Sequence, residues 1–192
     1  MREIEAAKAA LREKYSQIRR AIPLEARKEF ERKIFLRLTG VEKFKACSTL
    51  LTYASTECEV DTKGLILHAL AHGKTVAAPR CSYGSADMAF FIIKSLSDLE
   101  RGRFGISEPT EGCPLLLDFS CAVCVVPAVA FDVSGRRIGY GKGYYDKFLS
   151  KYPDLYKIGV TYGACLAERL PSEAHDIPVD LIITEKELSN GY

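Results

Sequence analysis

Residues 121–149, CAVCVVPAVAFDVSGRRIGYGKGYYDKFL, carry an apolar strand, a glycine-rich turn and the start of an amphipathic helix in direct succession. The run CAVCVV is apolar enough to be a strand that is buried on both faces of a sheet. In open α/β sheets, ligands bind beyond the carboxyl ends of the strands, where the chain turns into a helix. The stretch therefore predicts a parallel sheet with a binding site at its edge.

The glycine-rich turn has the composition of a phosphate-binding loop. Glycines at every second position allow successive N–H groups to converge on an oxyanion, and the helix that follows adds the partial positive charge of its N-terminus. Arginine can hold phosphate through two parallel hydrogen bonds. The residues concerned are Gly139, Gly141, Gly143, Arg136, Arg137 and Lys142.

This turn matches neither the GxxxxGK[ST] nor the GxGxxG spacing of the common phosphate-binding motifs. A flexible, solvated loop is the alternative interpretation, but it does not explain Tyr144 and Tyr145, which are suited to stacking on a planar ligand. Asp146 is either a first-turn helix carboxylate or a ligand for Mg²⁺.

Along the rest of the chain, predicted strands alternate with predicted helices. Apolar residues at steps of three and four predict helices over 3–19 and 23–38, and a third over 61–72 with Asp61 as N-cap and Gly73 after its end. The pattern predicts an α/β fold, a three-layer αβα architecture with a central, mostly parallel but mixed, Rossmann-like sheet and an N-terminal helical hairpin. We expect a single domain over residues 1–192. The strands are predicted at 48–54, 74–79, 88–93, 121–126, 156–162 and 179–184.

Charge and hydropathy exclude several classes of partner. The formal net charge is +2, from 27 basic and 25 acidic residues, so no basic groove for nucleic acid is indicated. The longest apolar stretch falls far short of the roughly 20 residues that span a bilayer, and the first residues are too charged for a signal peptide. We therefore expect a cytoplasmic protein that binds neither nucleic acid nor membranes.

Cysteine and histidine pairs with metal-like spacing favour structural roles. Cys121 and Cys124 form a lone CxxC in a strand-like run, where a spacing of three places the side chains on opposite faces, so buried thiols are favoured over a redox or zinc site. His68 and His72 have i,i+4 spacing but lack the glutamate of HExxH, which favours surface positions on a helix.

The segment GRRIGYGKGYYDKFL, residues 135–149, closely resembles the signature of the 5-formyltetrahydrofolate cyclo-ligase family, also called 5,10-methenyltetrahydrofolate synthetases. The resemblance continues in the same order through most of the chain. Lys142 stands where many members have glycine, and Tyr140 where some have arginine. The other segments that carry the resemblance are KAALR (8–12), ECEVDT (57–62), RFGISEP (103–109) and HDIPVDLIIT (175–184).

The resemblance implies a site with ATP as co-substrate, a folate substrate and Mg²⁺, in a protein that works as a monomer. Glu57 and Glu59 are both near the folate position, and the motif favours Glu59. The implied metal ligands are Asp146 and Asp176, and the implied catalytic residues are Arg137, Lys142 and Tyr144. ATP-binding roles are implied for Lys8, Ala9, Ala10, Leu11, Arg12, Arg137, Ile138, Gly139, Tyr140, Gly141, Lys142, Gly143, Tyr144 and Tyr145. Folate-binding roles are implied for Ala54, Glu59, Phe104, Tyr140, Gly141, Lys142, Gly143 and Tyr144.

The implied activity is ATP-dependent cyclisation of 5-formyltetrahydrofolate to 5,10-methenyltetrahydrofolate, with release of ADP and phosphate, through a phosphorylated formyl intermediate. On spacing alone, Lys8 and Arg12 are an i,i+4 pair that is more often solvated than functional. Two other interpretations stay open: a non-catalytic member that binds folate or nucleotide, and a sugar-phosphate isomerase or acyl-CoA-type enzyme on a similar sheet.

Overall fold

The computed structural model describes residues 2–82, 87–102, 105–186 and 188–190, and its helices follow the predicted apolar spacing. The N-cap of the third predicted helix is Thr62 rather than Asp61, one residue later than expected, while Gly73 follows its end with a φ of 71° as predicted. The helices are α1 (Arg2–Arg20), α2 (Leu24–Gly40), α3 (Glu42–Ala46), α4 (Lys63–Ala71) and α5 (Tyr144–Lys151).

Within the described residues, seven strands form the main sheet: β1 (Thr49–Leu51), β2 (Thr75–Cys81), β3 (Met88–Ile93), β6 (Ala122–Val126), β9 (Tyr156–Val160), β11 (Leu181–Ile183) and β12 (Leu188–Asn190). Their order across the sheet is β12-β11-β9-β6-β1-β2-β3. The inner pairs are parallel, whereas β3 and β12 lie antiparallel at the two edges. The mostly parallel, mixed sheet is thus confirmed.

Two apolar cores on opposite faces of this sheet make the three layers. Alternate residues of β6 point to different cores, because successive side chains of a strand face opposite ways: Val123 and Val125 pack with α2, α3 and α4, whereas Cys124 and Val126 pack with α5. All five residues of β6 are buried, as the apolar run predicts for a central strand.

The two N-terminal helices are joined by residues 21–23 but pack in different places. Helix α2 contributes Ile34 and Leu38 to the core beneath α3 and α4. Helix α1 instead places Tyr15 in a third core with Val129 and Ile138, on the chain that leads into the glycine-rich turn. Helix α1 therefore lies beside the turn rather than on the main sheet.

The segment between β6 and the turn contains a hairpin that the sequence did not predict. Strands β7 (Ala130–Asp132) and β8 (Arg137–Ile138) pair antiparallel, so Arg137 lies in a strand before the turn begins. β10 (Leu166–Ala167) pairs with β7, and β4 (Leu99–Arg101) pairs with β5 (Ser107–Pro109).

The prediction that both thiols of the CxxC are buried is wrong for Cys121. Cys124 is buried in β6, but Cys121 lies exposed just before the strand, in a backbone conformation with φ of 52°. Among the helices of the described ranges, none is both long enough and apolar enough to cross a membrane.

Candidate active site

A cavity of about 950 Å³ opens at the carboxyl ends of the central strands. Strand β1 leads to β2 on one side, while β6 leads to β9 on the other, so the chain order reverses between β1 and β6. Tyr53 and Ala54 follow β1, Pro127 follows β6, and all three line the cavity. Ligands of open α/β sheets bind at such a reversal point, and the volume suits a ligand of several rings.

The glycine-rich turn forms one wall of the cavity and needs two of its glycines. Gly141 and Gly143 have φ values of 86° and 69°, a region that residues with a Cβ rarely adopt. A Cβ on Gly141 would also lie 3.4 Å from the guanidinium of Arg12. Gly143 is the N-cap of α5, so the helix begins directly at the cavity wall.

Lys8 enters the cavity from α1 and is paired with two carboxylates. Its Nζ lies 2.7 Å from Oδ2 of Asp176 and 3.0 Å from Oε2 of Glu173. Burial opposes the charge of Lys8, but the hydrogen bonds and charges of Asp176 and Glu173 outweigh it and raise the pKa of Lys8. Burial is likewise outweighed at Asp176, whose pKa is lowered by the hydrogen bond from Lys8. Both shifts favour the charged pair.

Arg137 and Asp146 form a second pair across the turn. Nη2 of Arg137 donates to Oδ1 of Asp146 at 2.6 Å, and the side chain of Arg137 is almost fully buried. The backbone N–H of Ile177 donates to the same oxygen at 3.1 Å. The loop that carries Asp176 is thereby tied to α5.

Arg12 and Lys142 complete the basic lining of the turn. Nε of Arg12 donates to the carbonyl oxygen of Gly139 at 2.8 Å, so α1 is hydrogen-bonded to the first glycine of the turn. Lys142 is exposed at the cavity mouth. Together with Lys8 and Arg137, these side chains make one end of the cavity suited to a polyanion.

Glu59 is a buried carboxylate that lines the cavity and contacts the glycine-rich turn through Tyr140. It is 7% exposed and lines the cavity, whereas Glu57 is exposed to solvent outside it. Its Oε2 accepts hydrogen bonds from the backbone N–H and hydroxyl of Thr56, at 2.8 and 3.0 Å, and its Oε1 accepts one from the hydroxyl of Tyr140 at 2.7 Å. The register left open between the two glutamates is thus resolved in favour of Glu59 as the residue in the cavity.

Aromatic and apolar side chains line much of the rest of the cavity. The ring of Tyr145 packs against the core under α5, and its buried hydroxyl has no hydrogen-bond partner among the described residues. Burial raises the pKa of Tyr145, so the hydroxyl keeps its proton and can donate to a ligand. Further apolar lining residues include Pro79, Met88, Ile106 and Ile177.

The structure gathers most of the predicted site residues and leaves a few outside. Ala9 and Ala10 are exposed on α1 and do not line the cavity, and Leu11 packs in the core of α1. Phe104 lies outside the described residues. The predicted residues that line the cavity are Lys8, Arg12, Ala54, Glu59, Arg137, Ile138, Gly139, Tyr140, Gly141, Lys142, Gly143, Tyr144, Tyr145, Asp146 and Asp176.

Sequence reasoning missed Glu173, Tyr53 and Arg19. Glu173 stands three residues before Asp176, and no motif distinguishes it from other surface carboxylates. Arg19 could have been found by its spacing, since it lies seven residues after Arg12 and so shares its helix face.

The comparisons with known proteins agree with this geometry. The family model of the 5-formyltetrahydrofolate cyclo-ligase family matches residues 4–185. A 5-formyltetrahydrofolate cyclo-ligase of Escherichia coli is 30% identical over 177 residues, which cover 90% of this chain and 97% of the relative. A probable 5-formyltetrahydrofolate cyclo-ligase of Schizosaccharomyces pombe is 30% identical over 168 residues, 77% of this chain and 80% of the relative.

Solved structures give the same result. The NMR structure of Aquifex aeolicus 5,10-methenyltetrahydrofolate synthetase superposes with a TM-score of 0.83 and 34% identity, and covers 96% of this chain and 92% of that one. A 5,10-methenyltetrahydrofolate synthetase from Mycoplasma pneumoniae, at 21% identity, shares the fold with a TM-score of 0.75 over 93% of this chain and 99% of that one. The chain belongs to the 5-formyltetrahydrofolate cyclo-ligase family.

Proposed function

We propose that this chain catalyses the ATP-dependent cyclisation of 5-formyltetrahydrofolate to 5,10-methenyltetrahydrofolate, with release of ADP and phosphate. The observation that carries the proposal is a single cavity that combines a cluster of cations with a buried carboxylate among apolar side chains. We call the part lined by Lys8, Arg12, Arg137 and Lys142 the phosphate end and the part around Glu59 the folate end, and the hydroxyl of Tyr140 in the turn is hydrogen-bonded to Glu59 where the two parts meet. A triphosphate suits the cations, and a flat, polar-edged ring system suits the carboxylate and its apolar surroundings.

The nucleotide is assigned to the turn and the face of α1. Backbone N–H groups of the turn from Ile138 to Gly143 and the N-terminus of α5 would bind phosphate oxygens. Lys8, Arg12, Arg137 and Lys142 would neutralise their charge. The pairs of Lys8 with Asp176 and of Arg137 with Asp146 position two of these cations before ATP binds, and the first pair also favours the charged form of Lys8.

The folate is assigned to the part of the cavity between Glu59 and α5. The buried carboxylate can accept hydrogen bonds from the N–H groups of a pterin ring. Tyr144 and Tyr145, with Ala54, provide contact surface for the rings, and the unpaired hydroxyl of Tyr145 offers a donor at the cavity floor. Phe104 keeps its proposed folate contact, although it lies outside the described residues.

The chemistry begins with activation of the formyl oxygen. That oxygen attacks the γ-phosphorus, the bond to the β-phosphate oxygen breaks, and ADP leaves. Arg137 and Lys142 would stabilise charge on the transferring group, which is the main demand of phosphoryl transfer. Tyr144, at the first position of α5, would hold the formyl group against the phosphate.

Ring closure follows on the phosphorylated formyl group. N10 of the folate attacks the formyl carbon and loses its proton to water, and the carbon–oxygen bond breaks so that phosphate departs. The product carbon then bridges N5 and N10 with a positive charge shared between them. The walls of the cavity hold N10 near the carbon, so the step becomes intramolecular in effect.

Asp146 and Asp176 fit a Mg²⁺ ion that is bound mainly through phosphate. The described residues contain no cluster of three or more histidine, cysteine or acidic side chains, so an all-protein site is not indicated there. Asp146 accepts its hydrogen bonds from Arg137 and Ile177 at Oδ1, which leaves Oδ2 for a cation. Mg²⁺ commonly uses one or two carboxylates with phosphate oxygens and water, and it would neutralise charge on the phosphates.

We further propose that the chain is one domain, that it works as a cytoplasmic monomer on small molecules alone, and that it binds neither nucleic acid nor membranes. The near-zero formal net charge of +2 supports the absence of nucleic acid. Light scattering after size-exclusion chromatography tests the monomer, with a mass near 21.3 kDa expected.

The activity is tested by following the absorbance of 5,10-methenyltetrahydrofolate after the protein is mixed with 5-formyltetrahydrofolate, Mg²⁺ and ATP. We expect a rise that requires ATP and falls about 100-fold or more in Lys142→Ala and Asp146→Asn. Lys28→Ala, on the exposed face of α2, is the matched control and should retain full activity. A folded protein that binds both ligands without turnover would instead be a non-catalytic member of the family.

A further inference from the structure

Arg19 is the most buried of the basic side chains that α1 directs towards the site. It is 4% exposed, compared with 7% for Lys8, and it does not line the cavity. Its Nη1 donates to the carbonyl oxygen of Ala128 at 3.0 Å, and its Nη2 donates to the hydroxyl of Tyr140 at 2.9 Å. Arg19 therefore cannot bind a ligand directly, although it contacts a residue that does line the cavity.

The hydroxyl of Tyr140 links Arg19 to Glu59. It accepts from Nη2 of Arg19 and donates to Oε1 of Glu59 at 2.7 Å. Burial and the nearby charge of Glu59 raise the pKa of Tyr140, so the hydroxyl stays protonated and keeps this direction of donation. The result is a continuous chain of hydrogen bonds from a buried guanidinium to the cavity carboxylate.

A buried guanidinium without a direct carboxylate partner is costly for a fold. The direct partners of Arg19 are a carbonyl and a hydroxyl, and its Nε has no hydrogen-bond partner among the described residues. The nearest acceptor with a full negative charge on this chain of bonds is Glu59, one hydroxyl away. Buried charges with such imperfect pairing are concentrated at functional sites.

The same helix also holds the residue before Tyr140. Arg12 donates to the carbonyl oxygen of Gly139, so α1 fixes two successive residues of the turn, one through its backbone and the other through its side chain. Half of the surface of Tyr140 is exposed, and packing alone therefore does not fix its ring. The contact with Arg19 supplies the missing constraint.

We propose that Arg19 is a positioning residue for the folate end of the cavity, which orients the hydroxyl of Tyr140 and, through it, the carboxylate of Glu59. The inference rests on the proposed function, since it assigns the folate rather than ATP to Glu59. Arg12, in contrast, acts on the phosphate end. The two arginines of one helix face thus serve different substrates.

The test is a double-mutant cycle read separately for each substrate. The variants are Arg19→Met, which keeps most of the side-chain length without the charge, Tyr140→Phe, which removes only the bridging hydroxyl, and their combination. Arg20→Met is the matched control, because Arg20 is exposed on the same helix. For each protein, kcat and the KM for 5-formyltetrahydrofolate and for ATP are measured, together with the Tm.

We expect Arg19→Met and Tyr140→Phe each to raise the KM for 5-formyltetrahydrofolate about tenfold, as loss of a hydrogen bond in a charged network does. The KM for ATP should change less than about twofold, and the double variant should be no worse than either single one. Arg19→Lys should recover only part of the loss, since an ammonium lacks the planar fork.

Three results overturn the inference. The first is a folded Tyr140→Phe protein with an unchanged KM for 5-formyltetrahydrofolate, a result that can be obtained even where Arg19→Met fails to fold. The second is additive effects of the two substitutions in the double variant, and the third is an equal loss for both substrates. Either of these last two would mean that Arg19 only supports the fold. Absence of turnover in the unmodified protein would instead sink the proposed function itself.

Discussion

Nζ of Lys8 lies 2.7 Å from Oδ2 of Asp176, and the two residues are 168 positions apart in the chain. The contact brings the N-terminal helix against the loop before the last two strands of the sheet. It also joins a cation of the proposed phosphate end to a carboxylate of the proposed magnesium site. Because both side chains are already charged in this pair, a bound substrate would replace one partner of the pair with its own charged group. Binding would not require new charges to form in an apolar wall.

Replacing Lys8 alone should destabilise the protein more than replacing both Lys8 and Asp176. Lys8→Met leaves Asp176 partly buried without its cation, and we expect the free energy of unfolding to fall by about 1–3 kcal/mol. Lys8→Met combined with Asp176→Asn should recover part of that loss. Urea denaturation of the three variants measures the difference, and strictly additive losses would contradict a direct pair.

The same pair should make the free energy of unfolding depend on pH in the acidic range. The pKa of Asp176 is lowered in the folded state, so its contribution is present above the ordinary carboxylate pKa of about 3.8 and is lost as the pH falls through the lowered value. In Asp176→Asn, the free energy of unfolding should therefore fall less steeply below about pH 4. A Tm profile against pH checks this, and identical slopes for both proteins would refute it.

A second dependence of stability on pH should come from His68, a half-buried residue of α4. The imidazole of His68 packs against Phe35 and Phe44, 4.0 Å from that of His72. Burial, with the nearby charges of His72 and Lys74, lowers the pKa of His68. The unfolded chain then binds more protons just below the ordinary pKa of about 6.5, so stability should fall as the pH drops through that value.

The His68 effect can be measured as the change of Tm between about pH 7.5 and pH 5. His68→Gln should flatten this change, since glutamine does not titrate. Leu67→Gln is the control, because Leu67 is exposed on the same helix and its replacement leaves His68 in place, so the slope should not change. An unaltered slope in His68→Gln would show that other groups set the pH dependence.

Gly141 should tolerate a methyl group far less well than Gly64. At Gly141, alanine would have to adopt a φ of 86° and contact the guanidinium of Arg12, so we expect a stability loss of about 1–3 kcal/mol and weaker ATP binding. Gly64 lies in α4 with open space around it, where alanine should stabilise by about 0.5–1 kcal/mol. Thermal denaturation and an ATP titration compare the two, and equal effects would contradict the role of the turn.

The two cysteines of the CxxC should differ sharply towards thiol reagents. Cys121 is exposed, whereas burial raises the pKa of Cys124 to about 12. The thiolate is the reactive form, so an aromatic disulfide should label Cys121 in the native protein and leave Cys124 untouched until denaturant is added. Peptide mass spectrometry locates the label. Equal labelling of both residues would show that β6 opens readily.

The sequence predicted the central elements because their signals are local. The apolar run of β6 and the spacing of α5 each depend on fewer than ten neighbouring residues, and both elements formed where expected. The hairpin of β7 and β8 was missed because its strands are only three and two residues long, too short for an alternation to be recognised.

The site was predicted less completely, since its contacts join distant parts of the chain. The family motif identified Lys8 and Asp176, but not that each is the partner of the other. Arg19 was missed because an arginine on an amphipathic helix is usually solvated. Its burial depends on a hydrogen bond to the hydroxyl of Tyr140, which is distant in the sequence. Glu59 is distinguished from Glu57, two residues before it, only by its burial in the folded chain.

The docking of α1 has a consequence for the order in which the protein is made. The helix leaves the ribosome well before residues 173 and 176, so Lys8 must wait for them before its partners exist. Chains are synthesised at about 5–20 residues per second, so the helix spends on the order of ten seconds without them. A nascent chain therefore cannot assemble the phosphate end of the cavity, or engage ATP through Lys8 and Asp176, until synthesis has passed residue 176.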